Sequence, residues 1–351
     1  MKILHFLWAL DNGGAENLVV DLANEQSRDN EVILLIANKR VDAAVRKRLA
    51  PEVQFVCLGR PAASRNPYWV ARLLFALKKL HPDVVHAHSD QLAKLDKFIT
   101  APLVLTVHDT HIELNAAVRN FSLVCCISET VLRDVCSRYP TLKVRQVNNG
   151  IRTADIATGG YRAPGSPRGI QVSRLVHEKK GQDLLIKALA LVNATPNQRK
   201  LSIDFVGDGP SLKHLIAIAD DAGVSEFCHF VGPLPRDQVY QDLCKYDLLI
   251  QPSRYEGFGL TVAEAMAAGI AVVVSDIEGP MEIIDGGKFG FFFRANDVDS
   301  LAASLGQAMS SFNTLDGDAL RSAARKHALE KYDLLQTSSN YCQIYREIID
   351  A

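Results

Sequence analysis

The sequence predicts an α/β protein of two doubly wound domains, each a parallel sheet covered by helices on both faces. Three observations carry this expectation. Residues 1–156 alternate strand and helix patterns, residues 170–293 do so again, and the stretch 157–169 between them is dense in glycine, proline and serine.

Strand signals fall at 2–7, 31–37, 53–58, 83–87, 102–107, 122–127 and 143–147, as short apolar runs bounded by turn formers. Helical spacing fills 14–27, 65–80 and 128–137 between them. A second series opens at Ile170-Gln171-Val172 and runs to Phe293. Three helical segments, at about 297–310, 316–331 and 335–350, close the chain. The expected domains are therefore 1–156 and 170–334, with 157–169 as linker.

Composition narrows the class. A chain of 351 residues is long enough for two domains, and 48% apolar with 23% charged residues is a soluble globular balance. Apolar runs fall far short of the ~20 residues a membrane span needs. Lys2 leads directly into a strand-like run, so no signal peptide is expected. The 7 cysteines (57, 125, 126, 136, 228, 244 and 342) lack Cys-x-x-Cys spacing and predict buried, reduced thiols in a cytoplasmic protein. Residues 1–155 hold 20 Lys+Arg against 16 Asp+Glu, a balance too small to imply nucleic-acid binding. It is compatible with an anionic membrane or acceptor.

The most informative segment is Tyr255-Glu256-Gly257-Phe258-Gly259-Leu260-Thr261-Val262-Ala263-Glu264, running on through an alanine-rich helix to Gly269. Strands before and after it, at 247–252 and 270–274, place Glu256 at the carboxyl end of a strand, where open α/β sheets bind ligands. Gly257 and Gly259 let backbone amides approach a ligand, and the helix start favours an anion. Glu264, one to two turns into the helix, accepts hydrogen bonds only and suits a vicinal diol. A phosphate cradle, a hydroxyl acceptor and a diol acceptor together outline a nucleotide-sugar site.

Other motifs converge on it. Gly13-Gly14-Ala15-Glu16 opens a helix after the first strand, where Gly14 can offer an amide to phosphate. Ser173-Arg174 and the doubled Lys179-Lys180 before Gly181 can aim a rigid fork and a point charge at one diphosphate. Gly207-Asp208-Gly209-Pro210 is a strand-to-helix turn, and Phe230-Val231-Gly232-Pro233-Leu234 another. Ser128-Glu129 reads as a helix cap, and Asn148-Asn149-Gly150 as a turn near the domain junction. His86, His88, His108 and Asp109 form a rival set: as metal ligands they would make the chain a metal-dependent hydrolase.

The Glu-x7-Glu segment, with its glycines and flanking strands, closely resembles the motif of the retaining glycosyltransferases of family 4. That resemblance extends over nearly the whole chain and implies the GT-B fold, two Rossmann-like domains with the active site in a cleft. It implies a donor nucleoside-diphosphate sugar and a hydroxyl acceptor on a glycan or lipid-linked carrier, with no metal or other cofactor. Arg174 and Lys180 then match the pair that neutralises the leaving diphosphate, Lys180 being favoured because it directly precedes Gly181. Ser173 departs from the usual glycine before that arginine. Glu256 corresponds to the donor-sugar carboxylate, Glu264 to the ribose carboxylate and His108 to the histidine that meets the donor sugar. Gly14, Gly207, Gly257, Phe258, Gly259, Leu260 and Thr261 fall on the nucleotide-binding side. The last helix, with Tyr341, Ile344, Tyr345 and Ile348 at helical spacing, is expected to return to the first domain. Bacterial lipopolysaccharide, capsule or O-antigen assembly is the context the family suggests; a GT-B epimerase or hydrolase of sugar nucleotides is the competing reading.

One segment bears on the membrane. Residues 64–80 read as a helix started by Pro67, with Trp69, Leu73, Ala76, Leu77 and Leu80 on one side and Arg65, Arg72, Lys78 and Lys79 around them. Such a helix packs on its own sheet in any doubly wound domain. Its basic edge also suits peripheral contact with anionic lipid on the inner face of the cytoplasmic membrane.

Overall fold

The structure is a computed structural model that describes residues 1–159, 165–196 and 199–351. Two compact units emerge: Met1–Ile151 joined by Asp333–Ala351, and Arg152–Tyr332. Residues 160–164 of the expected linker 157–169 lie outside the described residues. The described part that precedes them is tied within the second unit, where Ala157 N–H donates to the Tyr240 carbonyl at 3.1 Å.

The first unit holds seven parallel strands, β1 (Lys2–Leu7), β2 (Glu31–Asn38), β3 (Gln54–Arg60), β4 (Val84–Ala87), β5 (Leu103–Val107), β6 (Leu123–Cys126) and β7 (Val144–Gln146). Their order is β3-β2-β1-β4-β5-β6-β7. The second unit holds β8 (Arg168–Val172), β9 (Ser202–Val206), β10 (Cys228–Gly232), β11 (Leu248–Gln251), β12 (Ala271–Ser275) and β13 (Phe291–Phe293). These run β10-β9-β8-β11-β12-β13 and are again all parallel. Strand limits follow the apolar runs. In β2, Val32–Asn38 are all buried, the near-continuous burial of a sheet covered on both faces.

Both sheets reverse their winding at one place, between β1 and β4 in the first and between β8 and β11 in the second. At such a switch point the loops leave in opposite directions and open a crevice beyond the strand ends. Glu256 follows β11 and Arg174 follows β8; His88 follows β4.

The last helix, Leu334–Ile349, belongs to the first unit, with Tyr341, Ile344 and Tyr345 buried in its core. Each such side chain is worth roughly 1.5–3 kcal/mol of burial, against a total stability of only about 5–15 kcal/mol for an ordinary domain. The first unit therefore depends on the end of the chain. Thr337 Oγ1 secures the helix start on the Asn148 carbonyl at 3.0 Å. Among the described residues no helix is long and apolar enough to cross a membrane. All seven cysteines are free; Cys57 and Cys136 are exposed, contrary to the expectation of buried thiols, because Cys57 lies on the edge strand β3 and Cys136 on the outer face of the helix Glu129–Arg138.

Candidate functional site

In the second unit two loops meet at the switch point. The loop after β8 leads into the short helix His177–Lys180, and the loop after β11 carries Glu256 into the helix Leu260–Ala268. They are pressed together at Gly181, whose φ is +65° and where an added Cβ would lie 1.9 Å from the Pro252 carbonyl oxygen. Only glycine fits that position. Arg254 locks the same contact from behind: its fork takes both Asp183 oxygens at 2.8 and 2.9 Å, and its backbone N–H donates to the Lys179 carbonyl at 2.8 Å. Burial opposes ionisation of Asp183, but the Arg254 guanidinium prevails and holds its carboxyl below the usual range.

This contact brings the Lys180 ammonium onto Glu256 Oε2. The same oxygen accepts from Gln251 Nε2 at 3.0 Å and from Ser253 Oγ at 3.5 Å. Thr261, in the first turn of the next helix, donates to Gln251 Oε1 at 3.2 Å and completes the chain. Arg174 stands on the loop after β8, ahead of Lys180, exposed, its guanidinium making no hydrogen bond or ion pair among the described residues. Beneath that loop Gly207 has φ +139°, and a Cβ there would sit 2.0 Å from the Ser173 carbonyl oxygen. The turn after β9 thus shelves the Ser173-Arg174 loop.

The helix Leu260–Ala268 starts from Gly259 (φ +103°) with no side-chain cap; Val262 N–H donates to the Gly259 carbonyl at 2.9 Å, which leaves the N–H groups of Leu260 and Thr261 to face an anion. Glu264 is 4% exposed on its second turn. Its Oε1 accepts from Arg236 Nη2 at 2.7 Å and Tyr240 OH at 3.2 Å. The Arg236 guanidinium thus compensates a carboxylate taken out of water. Phe258 turns its ring into the core against Tyr332, at 5.4 Å between centroids, so only its backbone faces the loop surface.

The first unit offers a different chemistry. His5 on β1 and His86 on β4 stand in register, and His88 and His108 lie just past the ends of β4 and β5. Gln26 Oε1 meets His5 Nε2 at 2.8 Å, His5 Nδ1 meets His88 Nε2 at 3.1 Å, and His88 Nδ1 meets His108 Nε2 at 3.1 Å. His86 is held separately, by Thr106 Oγ1 and Tyr345 OH, each at 2.6 Å. The metal set read from sequence therefore needs correction. The three ring nitrogens that converge within 4.8 Å are those of His5, His86 and His88, because β1 and β4 are neighbours. Asp109 is turned to its own loop, accepting from Thr110 N–H at 3.0 Å. Gly14 is exposed and opens the helix Gly14–Gln26, and Ser128 caps the helix Glu129–Arg138 through Val131 N–H at 3.1 Å.

Two family models cover most of the chain. Glycosyltransferase Family 4 matches residues 12–155, and Glycosyl transferases group 1 matches residues 162–327. The chain belongs to glycosyltransferase family 4. It is 29% identical over 300 residues to a glycogen synthase of Mycobacterium tuberculosis, covering 77% of this chain and 71% of that protein. A GDP-mannose-dependent alpha-(1-6)-phosphatidylinositol monomannoside mannosyltransferase of Mycolicibacterium smegmatis is 32% identical over 151 residues, 41% of this chain and 39% of that protein. The crystal structure of Anabaena Alr3699/HepE in complex with UDP and glucose superposes with a TM-score of 0.81 at 21% identity, covering 98% of this chain and 99% of that one. The fold is GT-B, and the protein is a glycosyltransferase.

Sequence reading of this glycosyltransferase missed the residues that hold the named ones. Gln251 and His5 had a visible signal: Gln251 ends the apolar run of β11, and His5 interrupts the apolar run Ile3–Leu7 of β1. Arg236, placed by Pro235 at a helix start, had none that pointed to Glu264 28 residues later.

Burial pushes His5 and His108 down to about 4, and His86 and His88 well below their ordinary value as well. The unfolded chain, with histidines near 6.5, binds protons that the folded enzyme does not, so stability falls as pH drops from about 6.5 towards 4. Each histidine contributes a slope of up to about 1.4 kcal/mol per pH unit in that window. Denaturant midpoints measured from pH 7.5 to 5 should decline steeply, and more shallowly in His5→Gln. A flat profile would show that these histidines are not buried in neutral form.

Proposed function

We propose that this glycosyltransferase moves a hexose, with retention of anomeric configuration, from a nucleoside-diphosphate sugar to a hydroxyl of a glycan or lipid-linked acceptor. The observation that carries the reading is the Lys180–Glu256 pair at the β8/β11 switch point, with Arg174 exposed on the same loop after β8 that leads to Lys180. Arg174, Lys180 and the open start of the helix Leu260–Ala268 supply positive charge for a diphosphate without a metal ion. When donor binds, Lys180 exchanges its carboxylate for phosphate oxygen and frees Glu256 for a sugar hydroxyl. Backbone amides of Gly257, Phe258, Gly259, Leu260 and Thr261 line the phosphates, with Gly14 and Gly207 keeping the approach clear. Glu264 takes the ribose diol, and His108 a hydroxyl of the donor sugar.

As the glycosidic bond breaks, charge accumulates on the leaving diphosphate, where Arg174 and Lys180 stabilise it. The acceptor hydroxyl attacks from the same face and loses its proton to that diphosphate, which gives retention. The mannose-using and glucose-bound relatives both support a hexose donor. Assembly of bacterial lipopolysaccharide, capsule or O-antigen is the proposed setting.

Purified protein screened against UDP- and GDP-hexoses should form glycoside only when acceptor is present. Arg174→Ala should lower kcat about a hundredfold, the scale of one lost charge stabiliser. Near wild-type turnover in that variant would remove the assignment, and acceptor-independent sugar release or epimerisation would replace transfer with the competing activity.

Peripheral membrane contact is the second part of the proposal. On the helix Tyr68–Leu80, Leu73 and Leu77 face the core, whereas Tyr68 and Phe75 are 56% and 68% exposed. Arg65, Arg72, Lys78 and Lys79 surround them, and each basic residue near an anionic surface adds about 1 kcal/mol. Exchanging Arg72, Lys78 and Lys79 for Ser should release the protein from phosphatidylserine-containing liposomes without altering donor binding. Wild-type protein that fails to co-sediment at low salt would leave this helix with a packing role alone.

A further inference from the structure

We propose that Gln26, His5 and His88 form a hydrogen-bonded relay that fixes the tautomer of His108, presenting its Nδ1 as a bare acceptor for one donor-sugar hydroxyl. This rests on the reading above that His108 meets the donor sugar; the relay itself rests on geometry. Three contacts of 2.8, 3.1 and 3.1 Å join Gln26 Oε1, His5, His88 and His108 in series. The series ends at His108 Nδ1, a buried atom with no hydrogen-bond partner among the described residues.

A neutral imidazole carries one N–H, so each ring in such a series donates at one end and accepts at the other. The Gln26 carbonyl oxygen only accepts, and this places the His5 proton on Nε2. His5 Nδ1 is then a lone pair, which requires the proton of His88 on Nε2. His88 Nδ1 in turn accepts, and His108 must carry its proton on Nε2. One amide oxygen, on a Gln26 that is 2% exposed, thereby sets the polarity of three rings. Burial keeps all three neutral, since it pushes His5 and His108 down to about 4 and His88 well below its ordinary value.

The outcome matters at the far end. A tautomer free to exchange would offer a sugar either a donor or an acceptor, and a fraction of the molecules would present the wrong one. A locked Nδ1 accepts from a hydroxyl at every encounter, and an unmet acceptor in a buried place gains the most from a partner. His86 takes no part in the series, because Thr106 and Tyr345 occupy both of its nitrogens. A cation held by His5, His86 and His88 would take one nitrogen of His5 and one of His88, and the series uses both nitrogens of each ring, so relay and metal site exclude one another. Gln26, His5 and His88 are positioning residues.

The test is a long-range 1H–15N correlation spectrum of the full-length protein labelled with 15N-histidine, its ten histidines assigned through single His→Gln variants. Wild-type His108 should show a protonated Nε2 and an unprotonated Nδ1. Gln26→Met, which removes the accepting oxygen, should move the His108 signals to the average of two tautomers and raise the donor KM severalfold. Gln26→Glu keeps an acceptor and should restore the single tautomer, a rescue that a purely structural role would not produce. His108 protonated on Nδ1 in the wild type, an unchanged tautomer in Gln26→Met, or stoichiometric Zn2+ shifting His5, His86 and His88 together would overturn the relay. Addition of UDP-glucose and GDP-mannose separates the two claims: if neither moves Nδ1 while the locked tautomer is seen, the sugar contact fails and the relay stands.

Discussion

The close approach of Gly181 to the Pro252 carbonyl is the constraint on which the second unit's site depends. Two loops that leave a parallel sheet on opposite sides of a switch point would normally diverge. Here the missing Cβ and the Arg254–Asp183 fork draw them together, and Lys180 reaches Glu256 as a consequence. Any side chain at 181 would push the carbonyl away and separate the charges. The ion pair is therefore a result of backbone geometry, and it stores a cation beside the place where phosphate is expected.

The two units share a topology but arm it with opposite electrostatics. Both sheets reverse beside their first strand, and both present polar side chains past the strand ends. In the second unit these are charged and mutually compensated, Lys180 with Glu256 and Arg236 with Glu264. In the first they are His88 and His108, whose burial keeps them neutral. On the proposed reading, a charged group stabilises a departing diphosphate, whereas a neutral acceptor orients a hydroxyl without competing for the anion. This division suits a reaction in which negative charge moves onto one end of the donor only.

The fold was legible because apolar runs and turn clusters record it locally: the seven strands of the first unit lie within a few residues of the apolar runs that predict them. Glu256 and Glu264 were legible for the same reason: the strand, the glycine loop and the alanine-rich helix are each recorded locally, which puts Glu256 on the loop past β11 and Glu264 on the second turn of the helix Leu260–Ala268. What holds them was not. Arg236 reaches Glu264 from a separate helix, and Gln251 and Ser253 act only once the loop has folded back. Pairings of this kind depend on chain topology, which single-residue chemistry does not encode. The histidines show the same limit: His88 and His108 were visible as candidates, while His5, which lies 83 residues before His88, and Gln26 are joined to them only through the pairing of β1 with β4.

The most direct test is a crystal structure of the enzyme with an intact nucleoside-diphosphate hexose bound. Lys180 should have left Glu256 and, with Arg174, should contact the diphosphate, while Glu256 reaches a sugar hydroxyl and Glu264 the ribose. A donor bound away from the β8/β11 switch point, or a diphosphate held with Lys180 still paired to Glu256, would contradict the account.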